Sequence, residues 1–565
     1  MSTETIRRAF DAALPPRPEP RGGLAAALIA ASLCLGACEP AKVAPPPRVE
    51  TVDAGPVCEA PPPCARAPIE AADLSADEDY RRIMALSQAD PASIDVAEVS
   101  LRVSHAADPR VDVAATLARL DAMADALRRS LPRSCDPRCR TRRLIAEMFG
   151  PWRFEAESDP DGLYADPDRD LIDRVIESRR GYCEGLSVLF LALGRRLDIP
   201  LAGVLARQHM YVRYVGPGAP FDIDLTLEGR PPEPEPSTGT CRAQPGTYGV
   251  PRNARDMVGA IVSVVGILET LPGQGRWLEA AARLAPNDPD LHNNLGVFAE
   301  EAGAFDEALG HYRAAVSIDP CVSFYRANVA TALVSLGRLR EARETLDALD
   351  HARAFGNVDD DTLWPQLARA TLRFEEGDDR GADRIFEALR GVPDYSPRVD
   401  EALARFERGR GHLDLAQGYL LATLERDPSP AVRLALAETM LEAGRLEEAQ
   451  TALRQASRDG ASADAVAPVE AALALRAGHA DEADLRARRC VEAGQRRCAE
   501  GLGVMAEVRA LRGDARCAAR YLEAYSRCVG APRDRAERAA IARRRRSVEA
   551  ALAQRVRPAD AGVQQ

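Results

Sequence analysis

A chain of 565 residues is too long for one hydrophobic core, so two or more domains are expected. Its 46% hydrophobic, 28% charged and 5% aromatic residues are ordinary for a globular protein. A net charge of -12, with no lysine or arginine stripe, argues against nucleic acid as a partner.

The first 38 residues read as a lipoprotein signal peptide. Arg7, Arg8, Arg17 and Arg21 form a positive segment, and Leu24 to Leu35 is apolar but short for a bilayer span. The stretch ends in Leu35-Gly36-Ala37-Cys38, which resembles the lipobox of bacterial lipoproteins. Small residues admit the backbone to the peptidase, and the Cys38 thiol would take the lipid. A plain signal peptide with an incidental cysteine is the competing reading. Glu39 stands where an inner-membrane retention signal has Asp, so the expected location is the cell envelope, lipid-anchored at the outer membrane and facing periplasm or surface. Residues 39–73 are rich in proline, including Pro45 to Pro47 and Pro61 to Pro63, and read as an extended tether.

Thirteen cysteines suit an oxidising compartment. Cys135 and Cys139 bracket a short turn without a second half-site of Cys or His nearby, so a local disulfide is expected there rather than zinc. Four more cysteines run from Cys490 to Cys528.

Residues 74–235 are expected to form one domain, in which residues 171 to 226 carry the chemistry. A Gly turn, Arg180-Gly181-Tyr182, precedes Cys183 and an apolar run reading as a buried helix ended by Pro200. Leu201 to Ala206 and His209 to Val215 read as strands, and Phe221 to Thr226 as a third. His209 lies 26 residues after Cys183, and Asp224 lies 15 after His209. In this reading Cys183 is the nucleophile, its thiolate favoured by a helix N-terminus that lowers its pKa. His209 is the base, Asp224 orients the imidazole, and the Cys183 backbone N–H is an oxyanion donor. Asp222 rivals Asp224, because strand alternation points both to one face. A buried, inert Cys183 is the competing reading. Trp152 and Tyr164 are candidate cleft aromatics.

A cysteine opening a helix, a histidine on one strand and an aspartate on the next resemble the transglutaminase-like superfamily, an α+β, papain-like fold. Residues 92 to 230 look like its SirB-type branch through Ile94 to Ala97, Leu117 to Asp125, Leu144 to Phe149, Tyr164 to Val175, Arg179 to Gly181, Arg195 to Gly203, His209 to Arg213 and Ile223-Asp224. That branch commonly has proline where Cys183 stands, and the resemblance implies Pro where this chain has Leu225. Asp224-Leu225-Thr226 resembles the family's Asp-Pro-Thr, which favours Asp224 over Asp222. The full triad implies a cysteine peptidase or amidase working through a thioester, without a cofactor. Cross-linking by an amine stays open, and the alternative is a non-catalytic scaffold or assembly lipoprotein that binds peptides or proteins.

Residues 236–288 read as a connector, with a loop closed by Cys241 and an apolar helix from Met257 to Leu271 that packs the catalytic part on the repeats. Periodicity then sets in. Gly303, Gly337, Gly377, Gly411, Gly444, Gly478 and Gly513 recur at steps of 33 to 40 residues. Each is followed five residues later by alanine, Ala308 to Ala518, and preceded seven earlier by Gly296 or by Ala330, Ala370, Ala404, Ala437, Ala471 or Ala506. This is the tetratricopeptide pattern, so residues 289–530 are expected to form an all-α solenoid of about seven repeats whose groove binds a protein or peptide. Residues 531–565 read as a C-terminal helix and tail, with the basic run Arg543 to Arg546 on a solvated face.

Overall fold

The computed structural model describes residues 60–61, 77–157, 169–207, 209–232, 241–263, 274–301, 304–354, 356, 358, 362–392, 395–426, 428–461, 463–492, 499–529 and 535–556. All elements below lie in one compact unit, Pro61–Gln565. The signal segment, Cys38 and all the tether but Ala60 and Pro61 lie outside the described residues, as do Tyr164 and Gly303.

Four helices open the described chain: α1 (Glu78–Gln88), α2 (Val96–Ala107), α3 (Val113–Ser130) and α4 (Pro137–Phe149). Each starts at an aspartate. Asp77, Asp95, Asp112 and Asp136 accept from backbone N–H groups two or three residues on, which satisfies orphan donors of the first turn. A short strand β1 (Glu155–Ala156) pairs in parallel with β2 (Arg180–Gly181), and α5 (Ile172–Ser178) lies between them in sequence. Helix α6 (Cys183–Arg196) follows and is buried continuously from Gly185 to Gly194. A helix apolar all round must be covered on all sides. Here α2, α3 and α5 cover one side, and a four-stranded antiparallel sheet covers the other.

That sheet runs in the order β5-β4-β3-β6, with β3 (Leu201–Ala206), β4 (His209–Tyr214), β5 (Phe221–Ile223) and β6 (Pro251–Arg252). Val204 pairs with Tyr211, and Val212 pairs with Ile223. Val204, Val212 and Ile223 are fully buried. The third strand is shorter than its sequence suggests. It stops at Ile223 because Asp224 caps a 3-10 turn over Leu225–Leu227, which takes the backbone out of the ladder.

The connector supplies α7 (Ala254–Ser263) and α8 (Gln274–Leu284). Helix α7 packs on α1, α2 and α8, and Met257, Val258, Trp277 and Ala281 join the core that also holds Leu189 and Leu291. The expected apolar helix is therefore present over its first part, and residues 264–271 lie outside the described residues.

Seven helical hairpins follow among the described residues: α9 (Pro289–Glu301) with α10 (Phe305–Ile318), α11 (Ser323–Ser335) with α12 (Leu339–Ala354), α13 (Leu363–Glu375) with α14 (Asp379–Arg390), α15 (Pro397–Arg410) with α16 (Leu413–Arg426), α17 (Pro430–Glu442) with α18 (Leu446–Arg458), α19 (Ala463–Arg476) with α20 (Ala480–Glu492), and α21 (Ala499–Leu511) with α22 (Ala515–Val529). The described turn glycines, Gly337 to Gly513, all have positive φ, the left-handed conformation that ends a first helix. The periodic alanines are buried at the crossings, where a larger side chain would force each pair apart. A last helix, α23 (Arg535–Val556), packs on α15, α21 and α22.

Candidate active site

The sequence Arg180 to Gly185 builds the corner that holds Cys183. Arg179 ends α5 in the left-handed conformation, and the two residues of β2 lead into Tyr182, the N-cap of α6. Gly185 has a steric reason: a Cβ there would lie 2.3 Å from the carbonyl oxygen of Arg169 and 3.0 Å from the Cα of Asp170. Its absence lets the 169–170 segment lie against the start of α6. The Tyr182 N–H donates to the Arg169 carbonyl at 2.9 Å, which fixes that approach.

Cys183 is thus the first residue of α6, half-buried, and the free cysteine among the described residues. Helix N-terminal N–H groups have no intrahelical partner, so its backbone N–H can serve an oxyanion. The thiol's own environment differs from expectation. Burial pushes it up to about 12, Asp170 acts in the same direction, and the Met210 backbone pulls the other way. A helix terminus by itself lowers a thiol pKa, but the loss of solvent and the Asp170 carboxylate that Gly185 admits outweigh that effect. The resting thiol is neutral.

His209 is the first residue of β4, one position before Met210, whose backbone reaches the thiol. Ser187 of α6 donates to the Met210 carbonyl at 3.4 Å and pins this strand to the helix that Cys183 opens. His209 Nε2 lies 2.8 Å from Asp224 Oδ2. Asp224 is buried and also accepts from the Thr226 N–H at 2.9 Å and the Thr226 hydroxyl at 2.6 Å. Burial works against its charge, but His209 and Thr226 hold the carboxyl below the usual carboxylate range. Its main chain is fixed too, since its N–H donates to Arg230 O and its carbonyl accepts from Gly229. Asp222 faces Arg213 in the ladder and pairs with it. The two aspartates have different partners, because the chain leaves the strand between them.

The first repeat and its neighbour border this region. Arg207, in the β3–β4 turn, donates to the fully buried Asp319 at 2.7 Å, and Gln244 bonds Ile318 and Ser317. Cys241 forms a disulfide with Cys321, tying the connector to the start of the second hairpin. The Glu184 carboxyl, next to Cys183, is raised well above its ordinary value by burial and then by the charges of Asp170, Asp288 and Asp290. The last two flank Pro289, where α9 begins. None of these groups follows a motif. Only the charge of Asp288 and Asp290 at a helix start was a visible signal.

The remaining expectations divide. Cys135 and Cys139 form the local disulfide. Cys490, Cys517 and Cys528 are disulfide-bonded as well. Trp152 packs against the hydrophobic core. Cys38 and Tyr164 lie outside the described residues. No cluster of three or more metal-ligating side chains occurs among the described residues, and no described helix is long and apolar enough to cross a membrane.

Residues 114–236 match the family model described as transglutaminase-like superfamily. No curated protein matches the chain. Among solved structures, a tetratricopeptide repeat protein from Parabacteroides merdae is 18% identical, with 39% of this chain and 86% of that one covered and a TM-score of 0.29. PilF of Pseudomonas aeruginosa is 20% identical over 36% of this chain and 89% of its own, at a TM-score of 0.26. Yeast Tom70 is 15% identical over 58% and 68%, at 0.34.

Proposed function

We propose that this protein is a lipid-anchored thiol hydrolase of the cell envelope, a peptidase or amidase whose repeats recruit a protein or peptide. The observation that carries the reading is the 2.8 Å contact between His209 Nε2 and Asp224 Oδ2, one residue from the backbone that bonds the Cys183 thiol. With Nε2–H given to the carboxylate, Nδ1 is the nitrogen left to take the thiol proton. As the Cys183 sulfur bonds the amide carbon, the carbonyl oxygen becomes an oxyanion near the helix N-terminus. His209 then gives its proton to the leaving amine, and the C–N bond breaks to leave a thioester. Water, activated by His209, resolves it to acid and thiol. Burial of the thiol suits a step in which the proton leaves only when substrate is in place.

A second reading has its own observation. A thiol raised to about 12 by burial is what a non-catalytic, peptide-binding scaffold would carry. Peptide-amide hydrolysis by the full chain, measured beside Cys183→Ala and His209→Ala, separates the two. Turnover lost in both variants supports the hydrolase. Slow thiol alkylation indifferent to His209, without turnover, leaves the scaffold. The anchor at Cys38, and with it the outer-membrane location, rests on the lipobox resemblance. Its test is envelope fractionation and mass spectrometry of the chain beside Cys38→Ser, with the lipid mass lost in the variant.

A further inference from the structure

Helix α23 does not cap the last hairpin in the way a terminal repeat helix would. It lies on α21 and α22 but also reaches α15, three hairpins back. Arg538 pairs with Glu375 at the end of α13, Arg543 donates to Glu442 of α17 at 3.1 Å, and Arg544 donates to Glu500 of α21 at 3.0 Å and to Glu507. Ser547 adds a bond to Glu507 at 2.8 Å. All these acids belong to first helices of their hairpins. A straight helix of 22 residues, about 33 Å long, meets such a series only along a face that curves around it.

The contact is ionic rather than apolar. Val548 is the one apolar side chain of α23 in the buried core among the described residues. The acids beneath are well covered, with the Glu375 side chain 3% exposed and that of Glu507 5%. Glu442 is shared with Arg408 of α15, so the row continues within the solenoid. Over its described side chains the helix is held by charge and one fully buried apolar anchor, and such a contact is exchangeable, since its acids and arginines return to water when it leaves. The basic run read as a solvated face is therefore largely engaged: Arg543 and Arg544 meet acids, and Arg545, though exposed, donates to the Ser526 hydroxyl of α22 at 3.0 Å.

We propose that α23 is a displaceable strap over an acidic groove, and that the groove's partner is a helical segment of another protein carrying arginines at the spacing of Arg538, Arg543 and Arg544. This rests on the repeats being a binding surface, and not on the thiol chemistry. In the resting chain the strap occupies the partner's place, so binding needs either a tighter arginine helix or release of α23.

The test titrates a fluorescein-labelled peptide of residues 535–556 into the full chain and into its R543E/R544E variant, read by anisotropy, with hydrogen exchange of α23 in both. The expected result is exchange in α23 at least about tenfold faster than in α21 in the wild type, and peptide binding at least about tenfold tighter to the variant. A peptide carrying the same two Glu substitutions should not bind the variant. Exchange of α23 in step with α21 in the wild type, which depends on no substitution, would overturn the strap alone. Fast exchange with no peptide binding by the folded variant would overturn the groove as a binding surface and the recruiting role with it. A dimer of the wild type formed by passing α23 between copies would overturn the partner in favour of a second chain.

Discussion

The Asp224 carboxylate meets His209 Nε2 at 2.8 Å, while Asp222, two residues earlier, is held by Arg213 across the sheet. The pairings predict a clear asymmetry. Asp224→Asn leaves the imidazole without the acceptor that fixes its tautomer, and hydrolysis should fall by about 10²-fold or more. Asp222→Asn should stay near the wild-type rate. Equal losses in the two variants would mean that the Asp224 contact does not orient the base.

Thiol titration follows from the environment of Cys183. Its anionic form is opposed by burial and by Asp170, so the alkylation rate of the free protein should keep rising through pH 9, above the ordinary range of a cysteine. Removing a negative neighbour stabilises the thiolate. Asp170→Asn should therefore move the profile to lower pH by about one unit. A wild-type profile centred below about 8.5 would contradict the placement of the thiol.

Much of this was legible in the sequence, and the exceptions share one cause. The repeats could be read because helical crossings demand a small residue and a left-handed turn at fixed intervals, and both demands appear as residue types. The places of Cys183 at a helix start and His209 at a strand start could be read because both elements are local. The choice between Asp222 and Asp224 could not be read from alternation, because a strand ending at Ile223 depends on the Asp224 cap and its Arg230 bridge. The Cys241–Cys321 pairing spans 80 residues and leaves no local mark. The partners of Arg543, Arg544 and Arg545 are spread over α17, α21 and α22, so a basic run looks solvated in the sequence when three of its four arginines are engaged. Long-range pairings between elements carry no periodicity.

The acids at the junction of the α+β part and the first repeat predict a pH dependence of stability. Burial, then Asp290, raises the Asp288 carboxyl to about 7 in the fold, from 3.8. A raised folded pKa favours the protonated group, so its contribution is full below the unfolded value and is lost as pH rises through the folded one. Thermal melts should place the unit about 1 kcal/mol or more lower at pH 8 than at pH 5, a shift of about 1 °C or more for a unit of this size. Asp288→Asn should flatten that difference. A melting point that rises from pH 5 to pH 8 and ignores the substitution would oppose it.

The Cys241–Cys321 disulfide closes a long loop across the same junction. In the chain-entropy account, opening a loop of this size costs about 4 kcal/mol. Cys241→Ser should therefore melt earlier than wild type, and the connector around Gln244 should exchange its amides faster. A reductant should lower the wild-type melt and leave the variant's melt closer to where it was. Unchanged exchange at Gln244 would show that its bonds to Ile318 and Ser317 hold the junction without the disulfide.

Gly503 of α21 offers a way to move α23 without touching an arginine or an acid. A Cβ at Gly503 would lie 3.0 Å from Nε of Arg544 and 3.3 Å from its Cδ. The branched side chain of Gly503→Leu cannot fit beneath that guanidinium, while leucine favours the helix of α21 itself by about 1 kcal/mol over glycine. The repeats should keep or raise their melting point while α23 lifts from Glu500 and Glu507. Trypsin reports the difference, because Arg543 to Arg546 become cleavable once the helix leaves the surface. Limited proteolysis should cut Gly503→Leu in this run at least about tenfold faster than wild type, with the seven hairpins left intact. Equal cleavage of the two proteins would mean that Arg544 swings aside and that the contact at Gly503 does not seat the helix.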